Sequence, residues 1–383
     1  MDKEKKSPGA AIITWCYDNG KTNYGQILQC YAMQELWRKM GYRTKIVRYR
    51  RRDREETMFL EKRSELGVNL YELWYRLKKV EKNLDMRIVR FIAFIKKYIS
   101  LSEQCYTKKQ VEEACGDCEV LVCGSDQIWN PEWFQDIYAL NFGEDRQKRI
   151  AYAPSGVFVE NERNENVYRD LGKYLDHFDL VTVREKDSIE ILKKYTRKRI
   201  VDVPDPTLLL TQTDWNRVAA KHVVTGPYIF CYSLGKLRKH KVLLKHIMKK
   251  YGANKVMFLV SGFYEKEDEL EKGGYFYPLE HIGPSQFIAL IRDARAVCTD
   301  SFHGLALSVV YRKQFFIFDR IDPRTDINAN TARQRNLLEK IGIGNERFVR
   351  CVRDMDKIEE IDYEKVQLET RWDEIKALLG SVL

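Results

Sequence analysis

Short apolar runs alternate with segments of helical periodicity along almost the whole chain, and this alternation constrains the fold more than any other feature. In the first half, the strand-like runs AAIITWC and TKIVRY flank the helical segment ILQCYAMQELWRKMG. Three further strand-like runs follow, EVLVCG, RIAYAPSG and LVTVRE. Strands that alternate with helices form parallel sheets with helices on both faces. The sequence therefore predicts a doubly wound α/β fold.

The same rhythm restarts after the proline-containing segment DVPDPTLLL (202–210). The runs YIFCYSLG, KVMFLVSG, AVCTD and QFFIFD are strand-like, with helical segments between them. This repetition predicts two Rossmann-like domains facing a cleft, with boundaries at 1–210 and 211–360, and a closing helix at 361–383. Ligands of such folds bind beyond the carboxyl ends of the strands, so we expect the site in the cleft.

Length and composition narrow the class of protein. A chain of 383 residues, 44% of them hydrophobic, has room for two packed cores. The charged start MDKEKKSPGA and the lack of a long apolar window predict a cytoplasmic protein. The nine cysteines are scattered, and the C-x-x-C spacing of Cys115 and Cys118 occurs once, so no metal site is expected.

The net charge of +10 is concentrated in RTKIVRYRRRDR (43–54) and in a basic helical insertion at about 51–108. No nucleic-acid-binding motif accompanies this charge, so nucleic acid is not an expected partner. Apolar residues recur at helical spacing over 71–98, with Lys and Arg between them. A helix with this pattern can lie on the anionic lipid headgroups at the inner face of the cell membrane, as a peripheral contact. The pattern is also typical of an ordinary amphipathic surface helix, which is the favoured interpretation.

Polar side chains gather at four places where a strand-like run ends. The first is the glycine turn NYGQ (23–26), which can present backbone N–H groups to an anion or simply make a tight turn. The second is CGSDQIWNP (123–131), whose polar and aromatic groups suit a sugar, although Asp126 can also cap the following turn. The third is Arg184, whose guanidinium suits a carboxylate or phosphate but can equally pair with an acid such as Glu185.

The fourth place is TDSFHG (299–304), where an apolar run turns into the buried-looking helix LALSVVY. A lone histidine is often a structural residue, but His303 stands at a helix N-terminus, where the dipole favours negative charge. Its neighbours Asp300, Ser301 and Gly304 strengthen the catalytic interpretation. No G-x-S-x-G, Walker A or complete G-x-G-x-x-G motif is present, so serine-hydrolase and nucleotide-cofactor chemistry have no support.

Five blocks of sequence together resemble one known family. TNYGQILQCYAMQELWRKMGY, LVCGSDQIWNP, VREKDS, VPDPTLLL and TDSFHGLALSVVYRKQFFIF follow in the order seen in polysaccharide pyruvyl transferases. The resemblance runs from about residue 11 to about residue 345. It implies a fold similar to the two-domain B-type glycosyltransferases. It also implies transfer of a pyruvyl group from phosphoenolpyruvate (PEP) onto two hydroxyls of a sugar in the synthesis of a capsule or exopolysaccharide by a bacterium, without a further cofactor.

The resemblance also implies roles for particular residues. The family's essential histidine matches His303, and its anion-binding arginine at a strand end matches Arg184. A further donor-binding arginine is expected among Arg320, Arg324 and Arg333, of which Arg333 is preferred. The other candidates are Asp126 as a second catalytic group, Ser301 and Gly304 for the donor, and Asn23, Tyr24, Gly25, Ser125, Gln127, Trp129 and Asn130 for the acceptor.

Alternatives to this function remain open at the level of sequence. A strand-end arginine and a helix-start histidine bind a diphosphate as readily as PEP, so a glycosyltransferase using a nucleotide sugar is the second hypothesis. A carbohydrate-binding protein without turnover is the third. The acceptor can be a lipid-linked oligosaccharide, a nucleotide sugar or a polymer end.

Overall fold

A computed structural model describes residues 7–16, 22–50, 86–156, 158, 161–235, 237–259, 274–319, 327–356, 358–366 and 371–383. Two sequence-based expectations fall outside these residues. They are Arg320 and Arg324 as donor-binding groups, and the part of the basic insertion between 51 and 85.

The first sheet is built from residues between 9 and 202. Within the described residues, seven parallel strands lie in the order β3-β2-β1-β4-β5-β6-β7. The strands are β1 (Gly9–Ile13), β2 (Arg43–Tyr49), β3 (Leu101–Cys105), β4 (Val120–Cys123), β5 (Lys148–Ala151), β6 (Leu180–Val183) and β7 (Ile200–Asp202). The helices are α1 (Tyr24–Lys39), α2 (Met86–Tyr98), α3 (Lys108–Cys115), α4 (Glu162–Leu175), α5 (Asp187–Leu192) and α6 (Gln212–Asn216).

The second sheet is built from residues between 228 and 317. Its five described strands are also parallel and lie in the order β10-β9-β8-β11-β12. They are β8 (Tyr228–Tyr232), β9 (Lys255–Leu259), β10 (Phe276–Leu279), β11 (Ala296–Thr299) and β12 (Gln314–Ile317). The helices are α7 (Lys241–Lys250), α8 (Pro284–Asp293), α9 (Phe302–Val310), α10 (Ile327–Lys340), α11 (Val352–Asp356) and α12 (Arg371–Gly380).

Central strands are apolar because helices cover both faces of each sheet. Every residue of β1, β4, β8 and β11 is buried, which is the pattern of strands inside a parallel sheet. The edge strand β3, with sequence LSEQC, is mostly half-exposed and lies within the range expected to be a helical insertion. That expectation was wrong over 101–105, because an edge strand needs few apolar residues and therefore lacks the signal used to find the others.

One hydrophobic cluster continues from the first half of the chain into the second. Tyr24, at the start of α1, stacks on Phe287 of α8 with ring centroids 4.5 Å apart. Its hydroxyl donates a hydrogen bond to the carbonyl oxygen of Ile282 (2.7 Å). The two sheets are therefore held together by buried apolar contact, close to the carboxyl ends of their central strands.

The described part of the basic helix, α2, is packed into the protein. Phe91, Phe94 and Ile95 are buried, and Phe91 contacts the ring of Tyr24 at 5.0 Å. These three apolar side chains are therefore covered by protein, as the ordinary amphipathic interpretation predicts, whereas Met86 and Ile92 are exposed. None of the described helices is long and apolar enough to cross a membrane.

Candidate active site

Arg184 is the most deeply buried cation at the junction of the two sheets. It directly follows β6, and 3% of its surface is exposed. Its Nε donates to Glu185 Oε1 (2.8 Å) and its Nη1 to Asp205 Oδ2 (3.0 Å). Burial lowers the pKa of the Arg184 guanidinium, but Glu185 and Asp205 raise it by more, so the net pKa is above its usual value. The guanidinium therefore stays charged in the protein interior.

Phe302, the first residue of α9, covers this guanidinium. The centre of the Phe302 ring lies 4.2 Å from Arg184 Cζ, within the range of a cation–π contact. Arg184 Nη2 is buried and has no hydrogen-bond partner among the described residues. The N–H groups of Nη2 are thus left for a ligand, because Nε and Nη1 already donate to the carboxylates of Glu185 and Asp205.

Asp205 connects the charged groups of the site, and sequence reasoning did not single it out. Its Oδ2 accepts from Ser125 Oγ (2.8 Å) as well as from Arg184, while its Oδ1 accepts from Thr207 N (3.0 Å) and Thr207 Oγ1 (2.7 Å). Burial raises the pKa of Asp205, but His303 and Arg184 lower it by more, so the net pKa lies well below its usual range. Asp205 is therefore a carboxylate at neutral pH.

His303 lies in the first turn of α9 and is 6% exposed. Its Nε2 is 3.8 Å from Asp205 Oδ2, which is too long for a direct hydrogen bond but close enough for an ion pair when the imidazole is protonated. Nε2 has no hydrogen-bond partner among the described residues. The imidazole is thus held next to a carboxylate with a nitrogen available for proton transfer.

The close approach of His303 explains why position 25 in the NYGQ turn is a glycine. A Cβ atom built on Gly25 would lie 2.3 Å from His303 Nδ1, closer than real Cβ atoms come. The first turns of α1 and α9 therefore meet at the imidazole. Helix N-termini carry partial positive charge, so an anion placed beside His303 would be stabilised by both helices.

The rest of TDSFHG builds the turn that presents the histidine. Ser301 is the N-cap of α9, and its Oγ accepts from Gly304 N (3.4 Å). A Cβ on Gly304 would lie 2.6 Å from Thr299 Oγ1, so this position requires glycine. Asp300 accepts from Ser233 Oγ and from the backbone N–H groups of residues 234 and 235, which secures the loop after β8. The structure therefore gives Ser301 and Asp300 structural tasks at the edge of the site.

The predicted second catalytic group, Asp126, lies near the centre. Its Oδ1 is 4.0 Å from Arg184 Nη1, and its backbone has a positive φ of 66°. The neighbouring Ser125 is one of the donors to Asp205. Both residues of this loop thus reach the site, although Asp205, not Asp126, is the carboxylate facing His303.

Several predicted acceptor residues make contacts within the fold. Trp129 is fully buried and its Nε1 donates to the carbonyl oxygen of Tyr138 (3.1 Å), so its indole packs in the core. The ring and hydroxyl of Tyr24 are likewise used in the core. Two side-chain oxygens make local hydrogen bonds: Asn23 Oδ1 accepts from Gln26 N, and Asn130 Oδ1 accepts from Glu132 N. Gln127 takes part through its backbone carbonyl, which accepts from Asn130 N.

A small cavity lies beside Arg184, between the first sheet and α10. Its volume of about 20 Å³ is enough for one water molecule. The preferred donor arginine, Arg333, lines it together with Arg184 and Lys340, and the carboxylates of Glu185 and Asp205 also contribute. Three cations and two carboxylates line this cavity, and Lys340 Nζ also pairs with Asp202 Oδ2 at 2.9 Å. The lining therefore has one more positive than negative group, which favours an anion.

Metal-ligating side chains do not gather here. Among the described residues, no group of three or more His, Cys, Asp or Glu side chains could hold a metal ion. Cys115 is the last residue of α3 and Cys118 follows it; both are buried, and burial raises the pKa of the Cys118 thiol to about 11. Both pack in a hydrophobic cluster formed by residues of the first sheet and its helices.

Comparison with known sequences identifies a family. The sequence model of the family described as polysaccharide pyruvyl transferase matches residues 23–323, which is most of the chain. No curated protein sequence matches the chain.

Solved structures resemble the chain in fold. A putative UDP-N-acetylglucosamine 2-epimerase from Listeria monocytogenes has a TM-score of 0.55 at 8% identity, covering 98% of this chain and 96% of that chain. For S. aureus MnaA with UDP the TM-score is 0.54 at 9% identity, with coverage of 98% and 97%. For the UDP-GlcNAc 2-epimerase from Methanocaldococcus jannaschii it is 0.52 at 11% identity, with coverage of 97% and 99%. These are folds of the B-type glycosyltransferase architecture, so the predicted fold class is confirmed.

Proposed function

The chain belongs to the polysaccharide pyruvyl transferase family, and we propose that it transfers a pyruvyl group from phosphoenolpyruvate onto two hydroxyls of a sugar. The reaction would release phosphate and leave a cyclic ketal. The observation that carries this proposal is the buried arrangement of Arg184, Asp205 and His303 at the junction of the two sheets.

The charges of the site support an anionic donor. PEP has a carboxylate and a phosphate, and Arg184, Arg333 and Lys340 line one cavity. Guanidinium groups bind both kinds of anion through paired N–H donors. Since the cavity has room for about one water, we expect α10 to shift away from Arg184 when PEP enters.

The chemistry requires a group that can give and take protons. A proton must first be added to C3 of the enol, which leaves positive charge at C2. One sugar hydroxyl then attacks C2 and loses its proton, and the C2–O bond to phosphate breaks. A second hydroxyl attacks C2 and loses its proton to close the ketal. One of the two hydroxyl protons returns to the catalytic group and replaces the proton that was added to C3. The other leaves with phosphate.

His303 is suited to this role. An imidazole exchanges protons near neutral pH, and the carboxylate of Asp205 lies 3.8 Å from His303 Nε2. His303 and Arg184 lower the pKa of Asp205, which makes its carboxylate too weak a base to take the proton in place of His303. In this assignment His303 is the catalytic acid and base, and Asp205 is a positioning residue.

Phosphate release with PEP and a sugar acceptor tests the proposal directly. We expect release that depends on both substrates, with formation of a product heavier by one pyruvyl group in the mass spectrum. Release of nucleotide from a sugar nucleotide, with no consumption of PEP, would instead support the glycosyltransferase hypothesis.

A further inference from the structure

Two tryptophans form an aromatic pair at the carboxyl edge of the first sheet. Trp15 follows β1 and Trp133 lies in the loop after β4, and their ring centroids are 6.0 Å apart at an interplanar angle of 50°. Trp133 is 42% exposed, whereas Trp129 in the same loop is fully buried. Burying an indole stabilises a folded protein, and an indole left largely in water does not contribute that stabilisation. The exposed ring of Trp133 is therefore a candidate for a functional contact.

The backbone under the pair is firmly held. Gln29 of α1 is fully buried, and its Nε2 donates to Thr14 Oγ1 (3.0 Å) and to the carbonyl oxygen of Trp15 (3.1 Å). The backbone N–H of Trp133 donates to the carbonyl oxygen of Asn130 (3.2 Å). A ring carried on backbone fixed in this way can present a surface of defined position.

Short contacts link this pair to the reacting centre. Thr14, next to Trp15, donates through Oγ1 to the carbonyl oxygen of Ser125 (3.1 Å). Ser125 Oγ in turn donates to Asp205, which faces His303. The strands β1 and β4 that precede the tryptophans are neighbours inside the sheet, and ligands of such sheets bind beyond these strand ends.

We propose that Trp15 and Trp133 form the platform on which the sugar ring of the acceptor stacks; the assignment rests on the proposed pyruvyl transfer. The faces of a pyranose ring consist of C–H bonds, which pack on the electron-rich face of an indole. Contact through a ring face leaves the hydroxyls at the ring edge unbound. Two of them can then reach the donor carbon beside His303.

A protein partner is a poorer match to this surface. Stable protein interfaces bury on the order of 800 Å² on each side, and a single half-exposed indole with its neighbour offers much less. A sugar ring matches the size of the pair.

The test compares Trp133→Ala, Trp133→Phe and the wild-type enzyme in PEP-dependent phosphate release. The acceptors are methyl glycosides of glucose, galactose, mannose and N-acetylmannosamine. Trp133→Ala should raise the KM for the acceptor about tenfold, while the KM for PEP stays unchanged. Trp133→Phe should restore most of the affinity because it keeps an aromatic face. Tyr277→Ala is the matched control, since Tyr277 is 45% exposed on β10, and its KM values should not change.

A second measurement separates this inference from the proposed function. Saturation-transfer NMR with the same glycosides and no PEP should show binding to the wild type that is weakened in Trp133→Ala and in Trp15→Ala. If the wild type consumes no PEP, the proposed function fails and this measurement still decides on the platform. The platform would be overturned if the wild type bound no glycoside. It would also be overturned if both alanine variants, at an unchanged melting temperature, bound the glycosides as strongly as the wild type does.

Discussion

The Cα of Gly25 lies so close to His303 that a methyl group added there would be 2.3 Å from the imidazole Nδ1. Gly25 belongs to the first turn of α1 and His303 to the first turn of α9. The position of the imidazole is therefore set by helices that follow strands of different sheets. Any change in how the two sheets meet will move His303 relative to Arg184 and Asp205.

Gly25→Ala should reduce pyruvyl transfer strongly. Alanine in a helix is normally more stable than glycine by about 1 kcal/mol, but here its methyl group displaces His303. We expect a lower kcat together with no gain in the free energy of unfolding, measured by steady-state kinetics and denaturant titration. Gly380→Ala in α12 is the control, because no atom lies within 4 Å of its added methyl group. Full activity of Gly25→Ala would show that the contact does not position the imidazole.

His303→Gln should fold normally and lose pyruvyl transfer by about two to four orders of magnitude, the usual contribution of a general acid–base group. Glutamine retains hydrogen-bonding capacity but cannot exchange a proton near neutral pH. PEP binding measured by calorimetry should persist, since Arg184, Arg333 and Lys340 remain. His177→Gln on the surface is the control. If the variant were nearly as active as the wild type, the proton-transfer role would pass to another residue, with Asp126 tested first.

Asp205→Asn should cost about 3–5 kcal/mol of stability at neutral pH, because it leaves the buried Arg184 with one fewer carboxylate. The pKa of Asp205 is lowered in the folded protein, so its contribution is fully present above the unfolded-state pKa of about 4 and is lost as the pH falls below it. Denaturant titrations from pH 7 to pH 3 should therefore show a flatter acid limb for the variant than for the wild type. Parallel curves would mean that Asp205 is not the carboxylate whose ionisation stabilises the site.

Arg184→Lys should weaken PEP binding more than it lowers kcat at saturating PEP. A lysine keeps the positive charge but has a single ammonium group, which cannot hold Glu185 and Asp205 and also present a free N–H edge to the donor. The measurement is the KM for PEP, with Arg312→Lys on the surface as the control. An unchanged dependence on PEP would remove Arg184 from the donor site.

Local patterns in the sequence already determined much of the architecture. Buried parallel strands must be continuously apolar, so runs such as EVLVCG and AVCTD were recognisable without knowledge of their partners. Arg184 directly follows such a run and His303 lies in the first helical turn after one, and both could be found because strand ends are where ligands of α/β folds bind. Edge strand β3 lacked that signal because much of it faces water.

Only the tertiary structure decided which side chains meet. Asp205 stands before a proline in a segment that looked like a linker, and its place beside Arg184 depends on β6 pairing with β7. Trp129 and Trp133 are the same residue type in one loop, yet one packs in the core and the other faces solvent. Periodicity reports which face of an element is buried. It contains no information on which distant element covers that face, because that choice depends on how the whole chain packs.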